Sequence, residues 1–282
     1  MQDPLVYLNG ELTPISEARI PVLDRGFIFG DGVYEVIPMY ARKLFRAKQH
    51  MARLARSLAA IGIPNPHDEE GWLALAGKVA AAHPADDQLI YMQVTRGVAK
   101  RAHAFPKDVT PTIFIMTNPL SLPSAQALKD GVACVSMEDK RWLNCHIKST
   151  SLLGNVLAAQ HAAEHDAVEA IQFRDGYLTE ASASNVWVVK NGKLLAPPKD
   201  NLILEGIRYG LIEELCVAAG GIPFESRRIT REEVFAADEV LLSSASKEVL
   251  PVISIDGKTV GAGVPGPVLR ALHAAYQQAK AG

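Results

Sequence analysis

Two stretches of this sequence decide the fold: Cys145-His146-Ile147-Lys148-Ser149, and further along the chain Thr179-Glu180-Ala181-Ser182-Ala183-Ser184-Asn185. The first places a lysine beside apolar neighbours, and the second combines a carboxylate with several hydroxyls. A lysine shielded from water loses its proton more readily and can attack a carbonyl to form a Schiff base. A carboxylate can keep a pyridine nitrogen protonated, and small hydroxyl residues can lie close to a phosphate. These requirements occur together in pyridoxal phosphate chemistry.

The composition is that of an ordinary globular protein. The 282 residues are 48% apolar and 21% charged, with a formal net charge of −2, so charge gives no reason to expect nucleic acid or a membrane as partner. The N-terminus has no secretory pattern, and no apolar run reaches the roughly 18 residues of a membrane span. Three cysteines without CxxC spacing argue against a disulfide framework and a zinc site. We therefore predict a cytoplasmic protein.

The first part of the chain predicts a sheet with two helices. Asn9-Gly10 after an apolar run indicates a hairpin, and Val33 to Tyr40 has the β-branched and aromatic character of a strand. Met51, Leu54, Leu58 and Ile61 recur at helical spacing, which places His50, Arg53 and Ser57 together on a neighbouring flank. Further elements are predicted as a helix over 69–82 and strands over 89–96 and 112–118.

Two prolines in the segment 119–123 indicate a linker between a small N-terminal domain, 1–118, and a larger C-terminal domain, 124–282. Thr230 and Glu233 have the spacing of a capping box. The other elements predicted here are strands over 132–137, 142–148, 185–189 and 239–243, helices over 152–165, 206–219 and 268–279, and hairpins at Asp175-Gly176, Asn191-Gly192 and Asp256-Gly257. The fold class is α+β with many antiparallel strands.

Several polar groups are candidates for binding an anion. Arg101 and His103 form a cationic cluster in a loop after a strand, which suits a substrate carboxylate or an ordinary solvated loop. Backbone N–H groups at Gly206-Ile207 and at Leu242 to Ser246 could form anion-binding nests. Lys148 itself has a second interpretation, as a strand-end lysine whose amine lies in solvent.

His161-Ala162-Ala163-Glu164-His165 spells the H-x-x-E-H pattern of a family of zinc peptidases. On a helix, the two histidines would share one face at a spacing that zinc accepts. With only three fixed positions the pattern also arises by chance, so a zinc hydrolase stays a distant alternative and we predict no metal.

Taken together, the motifs resemble the fold-type IV pyridoxal phosphate aminotransferases, and within them the D-amino acid transaminases. The resemblance extends from about Asp24 to Gly261. Its motifs are Asp24-Arg25-Gly26-Phe27, Phe29-Gly30-Asp31-Gly32-Val33-Tyr34-Glu35, Gln93-Val94-Thr95-Arg96-Gly97, Arg101-Ala102-His103-Ala104-Phe105-Pro106, Arg141-Trp142-Leu143, Ile147-Lys148-Ser149, Leu152-Leu153-Gly154, Thr179-Glu180 and Ser184-Asn185-Val186. It implies a two-domain fold whose larger domain has a mixed, barrel-like sheet.

The resemblance also implies roles for the matching residues. Lys148 would bind pyridoxal 5′-phosphate as a Schiff base and move the substrate proton, and Glu180 would pair with the pyridinium nitrogen. Arg53 would bind the cofactor phosphate. Substrate-binding residues would be Tyr34, Arg101 and His103, which would hold the α-carboxylate, with the loop of the last two reaching across a homodimer interface.

Two departures from the family pattern concern the phosphate. Arg208 follows Gly206-Ile207 where relatives typically carry threonine, and Ala245 stands where another threonine is usual. Backbone N–H donors survive both changes. The remaining cofactor contacts that the resemblance implies are Ser184, Ile207, Arg208, Ser244 and Ala245.

The activity implied is ping-pong transamination between D-amino acids and 2-oxo acids, from D-alanine and 2-oxoglutarate to pyruvate and D-glutamate. A branched-chain L-amino acid aminotransferase or an aminodeoxychorismate lyase of the same fold is the near alternative, against which Arg101 and His103 argue. A protein that binds the cofactor without catalysis is a third interpretation, because two hydroxyls are missing around the phosphate.

Overall fold

The computed structural model describes residues 3–281, which form two compact units. The first unit runs to Leu120 and also contains Ile147–Leu152, and the second contains Ser121–His146 and the chain from Leu153 onward. The predicted linker, 119–123, spans the point where the chain first passes from one unit to the other. The division differs from domains of 1–118 and 124–282 at one segment, because residues 147–152 belong with the first unit.

The first unit contains a six-stranded antiparallel sheet whose spatial order is β2-β1-β6-β5-β3-β4. The predicted hairpin at Asn9-Gly10 is confirmed, and both residues have positive φ, as a tight turn between strands requires. The strands are β1 (Leu5–Leu8), β2 (Glu11–Pro14), β3 (Gly32–Tyr40), β4 (Lys43–Leu44), β5 (Gln88–Thr95) and β6 (Thr112–Pro119).

Three helices belong to this unit: α1 (Arg25–Phe29), α2 (Ala47–Ala60) and α3 (Glu69–Ala81). The apolar face predicted for α2 is confirmed, since Leu54 and Leu58 are fully buried in one core with Trp72 of α3. The sequence did not predict α1, which is only five residues long. The Asp24 side chain caps its N-terminus, and Gly30 ends it in the left-handed region at φ +65°.

The second unit contains a nine-stranded mixed sheet in the order β12-β11-β10-β13-β14-β7-β8-β9, with β15 paired to β14. The β14–β7, β7–β8 and β11–β12 pairs are parallel, and the others are antiparallel. The strands are β7 (Val132–Glu138), β8 (Glu169–Arg174), β9 (Tyr177–Ala181), β10 (Asn185–Lys190), β11 (Lys193–Ala196), β12 (Phe224–Ser226), β13 (Glu239–Ser244), β14 (Glu248–Ile255) and β15 (Lys258–Thr259).

The helices of this unit are α4 (Ala125–Asp130), α5 (Leu153–Ala163), α6 (Ile207–Ala218), α7 (Arg231–Phe235) and α8 (Pro267–Ala281). The predicted capping box is confirmed at the start of α7, where Thr230 and Glu233 exchange side-chain and backbone hydrogen bonds. Helix α4, capped by Ser124, was not predicted.

The strand predicted over 142–148 is wrong. Residues 142–146 form turns and bends, and this part of the segment binds a distant loop: Cys145 N donates to Asn201 O at 2.8 Å, and Asn201 Nδ2 donates to Leu143 O at 2.6 Å. Trp142 is exposed despite its apolar character. The segment therefore has the composition of a strand, but within residues 142–148 its backbone bonds to strand β3 only at the end, through the Lys148 carbonyl that accepts from Tyr34 N.

The three cysteines are free and buried. Burial raises the pKa of Cys134 to about 12 and the pKa values of Cys145 and Cys216 to about 11, which disfavours the reactive thiolate at each position. Between residues 3 and 281, no helix has both the length and the apolar composition that crossing a bilayer requires.

Candidate active site

Lys148 lies in the segment Ile147–Leu152, which runs beside the start of β3 in the first unit. Tyr34 N donates to Lys148 O at 3.0 Å, and Thr150 N donates to Gly32 O at 2.9 Å. An isolated bridge between Val33 and Ser149 completes the pairing. The backbone of the lysine is therefore fixed against a strand of the unit.

The Lys148 amine lies over an aromatic ring. Its Nζ is 4.0 Å from the centroid of the Tyr34 ring, which is stacked on Tyr91 with 5.6 Å between centroids. The Tyr91 hydroxyl donates to Gln93 Oε1 at 2.7 Å, and burial, with a smaller effect of Tyr34, raises the pKa of Tyr91 to about 12. The Tyr34 ring thus orients the amine, and Tyr91, on which that ring is stacked, stays uncharged near neutral pH.

The predicted polar flank of α2 is confirmed. Glu35, fully buried on β3, accepts hydrogen bonds from Arg53 Nε at 2.7 Å and Nη2 at 2.9 Å, and its Oε2 lies 2.7 Å from His50 Nδ1. Ser57 Oγ accepts from Lys148 N at 3.3 Å. Burial alone would raise the pKa of Glu35, but Arg53 and then His50 hold it well below its usual value. Glu35 thereby fixes the orientation of Arg53.

Arg101 and His103 are exposed in the loop between β5 and β6. Both lie on the half-buried ring of Phe29: the Arg101 guanidinium is 5.3 Å from the ring centroid, and the His103 and Phe29 centroids are 5.5 Å apart. The structure therefore brings these two predicted substrate-binding residues together on one aromatic support.

Glu180 lies on β9 of the second unit and is 6% exposed. Its Oε2 accepts from Leu204 N at 3.0 Å, and its Oε1 accepts from Arg141 Nη1. Burial raises the pKa of Glu180 above its ordinary value, and Arg141 opposes that effect. A cation beside a carboxylate that is buried away from water stabilises its charged form, and a protonated ring nitrogen would be such a cation.

Arg141 has a structural role that the sequence did not reveal. It donates to the buried Asp139 from Nε at 3.0 Å and from Nη2 at 2.9 Å, and it also contacts Glu180. Asp139 further accepts from Thr179 Oγ1 at 2.8 Å. Burial alone would raise the pKa of Asp139, but its hydrogen bonds to Arg141 and the charge of that residue hold the pKa below its usual value. The network orients Glu180, and the only signal in the sequence was the Arg141-Trp142-Leu143 motif.

Asn185 connects Glu180's neighbourhood to the N-terminus of α6. Its Nδ2 donates to Leu204 O at 2.9 Å, and a Cβ on Gly206 would lie only 2.1 Å from its Oδ1. Glycine at position 206 therefore lets the Asn185 side chain keep this position, whereas a larger residue would displace it. Ile207 is the first residue of α6, whose N-cap, Gly206, makes no side-chain capping bond. The backbone N–H groups of this turn suit an anion.

Arg208, the first departure from the family pattern, is buried at 2% exposure in the first turn of α6. Its Nε donates to Tyr276 Oη on α8 at 3.2 Å. The side chain is therefore held by the C-terminal helix.

The buried carboxylate of Glu169 joins the remaining predicted contacts. It accepts from Ser184 Oγ at 2.7 Å, from Ala183 N at 2.9 Å and from Ser182 Oγ, and it pairs with Lys247 Nζ at 2.8 Å. The Ser244 hydroxyl accepts from Lys247 N at 3.1 Å, so the turn that contains Ala245 is closed beside Ser184. Sequence reasoning missed Glu169, since nothing near it along the chain marks its role.

The zinc interpretation has little structural support. Helix α5 ends at Ala163, so His165 lies in the following turn instead of on the predicted helix, and its Nδ1 is 2.8 Å from His161 O. Among residues 3–281, no group of three or more His, Cys, Asp or Glu side chains is arranged to hold a metal ion.

Comparison with known proteins defines the class. The family model "Amino-transferase class IV" matches residues 32–255, and this chain belongs to that family. The D-alanine aminotransferase of Staphylococcus aureus (strain MSSA476) is 41% identical over 274 residues, which cover 97% of this chain and 96% of that protein.

Solved structures agree with this assignment. The Escherichia coli branched-chain amino acid aminotransferase gives a TM-score of 0.92 at 25% identity, over 98% of this chain and 94% of that one. A hypothetical aminotransferase from Mycobacterium tuberculosis, solved in its PLP-bound form, gives a TM-score of 0.82 at 23% identity, over 98% of each chain. The predicted α+β, fold-type IV architecture is confirmed.

Proposed function

We propose that this chain is a D-amino acid transaminase that uses pyridoxal 5′-phosphate to transfer the amino group of D-alanine to 2-oxoglutarate, giving pyruvate and D-glutamate. The extensive identity to a D-alanine aminotransferase supports this reaction. The structural observation that carries it is the pairing of Arg101 and His103 on Phe29. An arginine and a histidine presented side by side suit the α-carboxylate of an amino acid.

The residues present fit the cofactor. Glu180, with a pKa raised by burial, suits a protonated ring nitrogen, and the glycine turn at Gly206 offers backbone donors for a phosphate. Arg53, Ser184, Ile207, Ser244 and the backbone of Ala245 are the other proposed contacts, and Arg208 contributes through its backbone. When bound, pyridoxal 5′-phosphate supplies an aldehyde that captures the amino group and a ring that accepts negative charge.

The protein's own groups hold and move protons around that chemistry. Lys148 Nζ would hold the cofactor's aldehyde in the resting enzyme; once displaced by the substrate, the same amine would take the Cα proton and pass it to the cofactor within the first half of the reaction, and the second half would run this transfer in reverse. Glu180 would keep the ring nitrogen of the bound cofactor protonated. Tyr34 orients Lys148 and, with Arg101 and His103, holds the substrate carboxylate so that the Cα–H bond points at the amine.

We propose a homodimer in which the Arg101 loop reaches across the interface. Large apolar side chains stand exposed on α1 and α5, with Phe27 at 75% and Leu153 at 71% exposure, and burial of such residues between two copies would stabilise a dimer. We further propose that the enzyme works in the cytoplasm, where its three free cysteines would remain reduced.

Donor preference tests the proposed reaction. With 2-oxoglutarate as acceptor, D-alanine should be turned over with at least about 100-fold greater kcat/KM than L-leucine, since reversing chirality misplaces the carboxylate or the Cα–H bond. Pyruvate formation and the conversion of L-leucine to its oxo acid measure the two rates. The solved branched-chain enzyme makes L-leucine the second candidate donor, and turnover of L-leucine alone would refute D-specificity.

Replacing Arg101 with alanine should raise KM for D-alanine about 10-fold or more, because one charge-assisted partner of the carboxylate is lost. Steady-state kinetics at saturating 2-oxoglutarate measure the change. Lys107→Ala, which removes another exposed cation from the same loop, is the matched control and should leave KM unchanged. An unchanged KM in Arg101→Ala would remove this residue from carboxylate binding.

A further inference from the structure

The loop that carries Arg101 and His103 is anchored at its base. Gly97 has φ +98°, and a Cβ there would lie 2.0 Å from Thr110 O, so the two ends of the loop can approach only with glycine at this position. Between these ends, the residues around Arg101 and His103 form no helix or strand. A loop of this kind needs other contacts to hold its functional side chains in one place.

The Asp24–Val98 bridge and the stacking of Arg96 on Phe105 hold the two sides of this loop. Arg25 binds the loop backbone at Ala102 and His103. It is 3% exposed at the start of α1, and its Nη1 donates to Ala102 O at 2.5 Å while Nη2 donates to His103 O at 3.3 Å. The Ala102 carbonyl belongs to the peptide between the two functional side chains. A planar guanidinium that grips two successive carbonyls fixes the direction of the backbone there, which a lysine cannot do with one point charge.

Asp31 holds Arg25 in this position. Its Oδ2 accepts from Arg25 Nε at 2.7 Å and from Arg96 Nε at 2.8 Å, and its Oδ1 accepts from Arg96 Nη2 at 3.0 Å. Arg96 also donates to Ile61 O at 2.6 Å and Gly62 O at 3.0 Å. Although burial opposes it, Arg96 and Arg25 keep the pKa of Asp31 below its usual value, so the carboxylate stays charged at neutral pH.

Phe29 links the buried anchor to the exposed pair. Its ring centroid lies 4.8 Å from the Arg25 guanidinium, and the same ring supports Arg101 and His103. Helix α1 therefore carries both the Arg25 guanidinium, which binds the loop backbone, and the Phe29 ring, which supports the side chains of Arg101 and His103.

We propose that Arg25 is a positioning residue for the substrate carboxylate: through its fork to Ala102 O and His103 O it holds the Arg101–His103 loop in the conformation that binds the substrate. This inference rests on the proposed function for its kinetic consequence. The contact between Arg25 and the loop backbone is independent of that function, so the two can be tested separately.

The test compares Arg25→Lys with a matched control, Arg42→Lys. Arg42 has the same chemistry in the same unit, since it donates to Ala80 O, His83 O and Pro84 O and pairs with Asp86, but it holds a different loop. Arg25→Lys should raise KM for D-alanine about 10-fold while kcat changes less than about 2-fold, because the reacting groups are untouched. It should also increase amide hydrogen exchange in the peptide 98–108. Arg42→Lys should change neither quantity.

If Arg25→Lys does not fold, Asp31→Asn is the second variant. It weakens the ion pair that supports Arg25 but keeps the guanidinium, and it should likewise raise KM for D-alanine while changing kcat little. Unchanged exchange over 98–108, or faster exchange with an unchanged KM, would overturn the proposal, as would a fall in kcat at constant KM. If the wild-type protein does not turn over D-alanine, the proposed function fails, and exchange over 98–108 together with KM for the donor that it does use still decides the role of Arg25.

Discussion

Replacing Lys148 with alanine should lower the turnover of D-alanine by about 1,000-fold or more and remove the visible absorbance band, at about 400–430 nm, that the lysine-bound cofactor gives. Both effects follow from the same amine, because Lys148 Nζ is the proposed attachment point and the proposed base. The ring of Tyr34 beneath it would remain, without a group that can take the Cα proton. An absorbance spectrum of the purified protein and a coupled assay for pyruvate measure the two effects.

Lys129→Ala is the control for this change, because Lys129 is an exposed lysine on α4. It should keep both the band and the activity. A folded Lys148→Ala protein that retained either the visible band or wild-type turnover would place the Schiff base, or the proton transfer, on another residue.

Replacing Glu180 with glutamine should lower kcat for D-alanine about 100-fold, the size of effect expected when one preorganised electrostatic partner is lost. Glutamine has nearly the same shape and can still accept from Leu204 N, but it has no negative charge with which to keep a ring nitrogen protonated. The loss should therefore appear mainly in kcat. Steady-state kinetics and the absorbance spectrum after addition of D-alanine measure it.

The same substitution also takes an ionic partner from Arg141, so stability must be measured beside activity. Glu164→Gln, at an exposed position, should alter neither kcat nor the thermal unfolding midpoint. If Glu180→Gln lowered only the unfolding midpoint and left kcat unchanged, the carboxylate would serve the Arg141 network alone.

Local sequence patterns predicted most of the secondary structure where the residues that define an element lie close together along the chain. The flank of His50, Arg53 and Ser57 follows directly from helical periodicity, and Asn9-Gly10 specifies its own turn. The segment around Lys148 was misassigned as a strand because its backbone partners, Tyr34 and Asn201, lie far away along the chain. Apolar neighbours alone do not identify such partners.

The site residues that sequence reasoning missed are charged groups whose meaning depends on distant neighbours. Arg141 beside a turn looks like any solvated arginine until Asp139 and the more distant Glu180 surround it. Glu169 is similar, since its partners come from two separate turns that contain Ser184 and Lys247. These residues form a fixed network because they are buried together. Whether one carboxylate is buried depends on how the whole unit folds, and the local sequence does not show this.

The segment Ile147–Leu152, which belongs to the first unit although it follows part of the second along the chain, constrains how this enzyme can be recombined with its relatives. A chimera made with one crossover near residue 120 would take β3 from one parent and the hexapeptide that pairs with it, including Lys148, the proposed cofactor attachment point, from the other. Gene shuffling at this position would separate two segments that pair in this chain. Exchange of 147–152 along with the first 120 residues would transfer the pair intact.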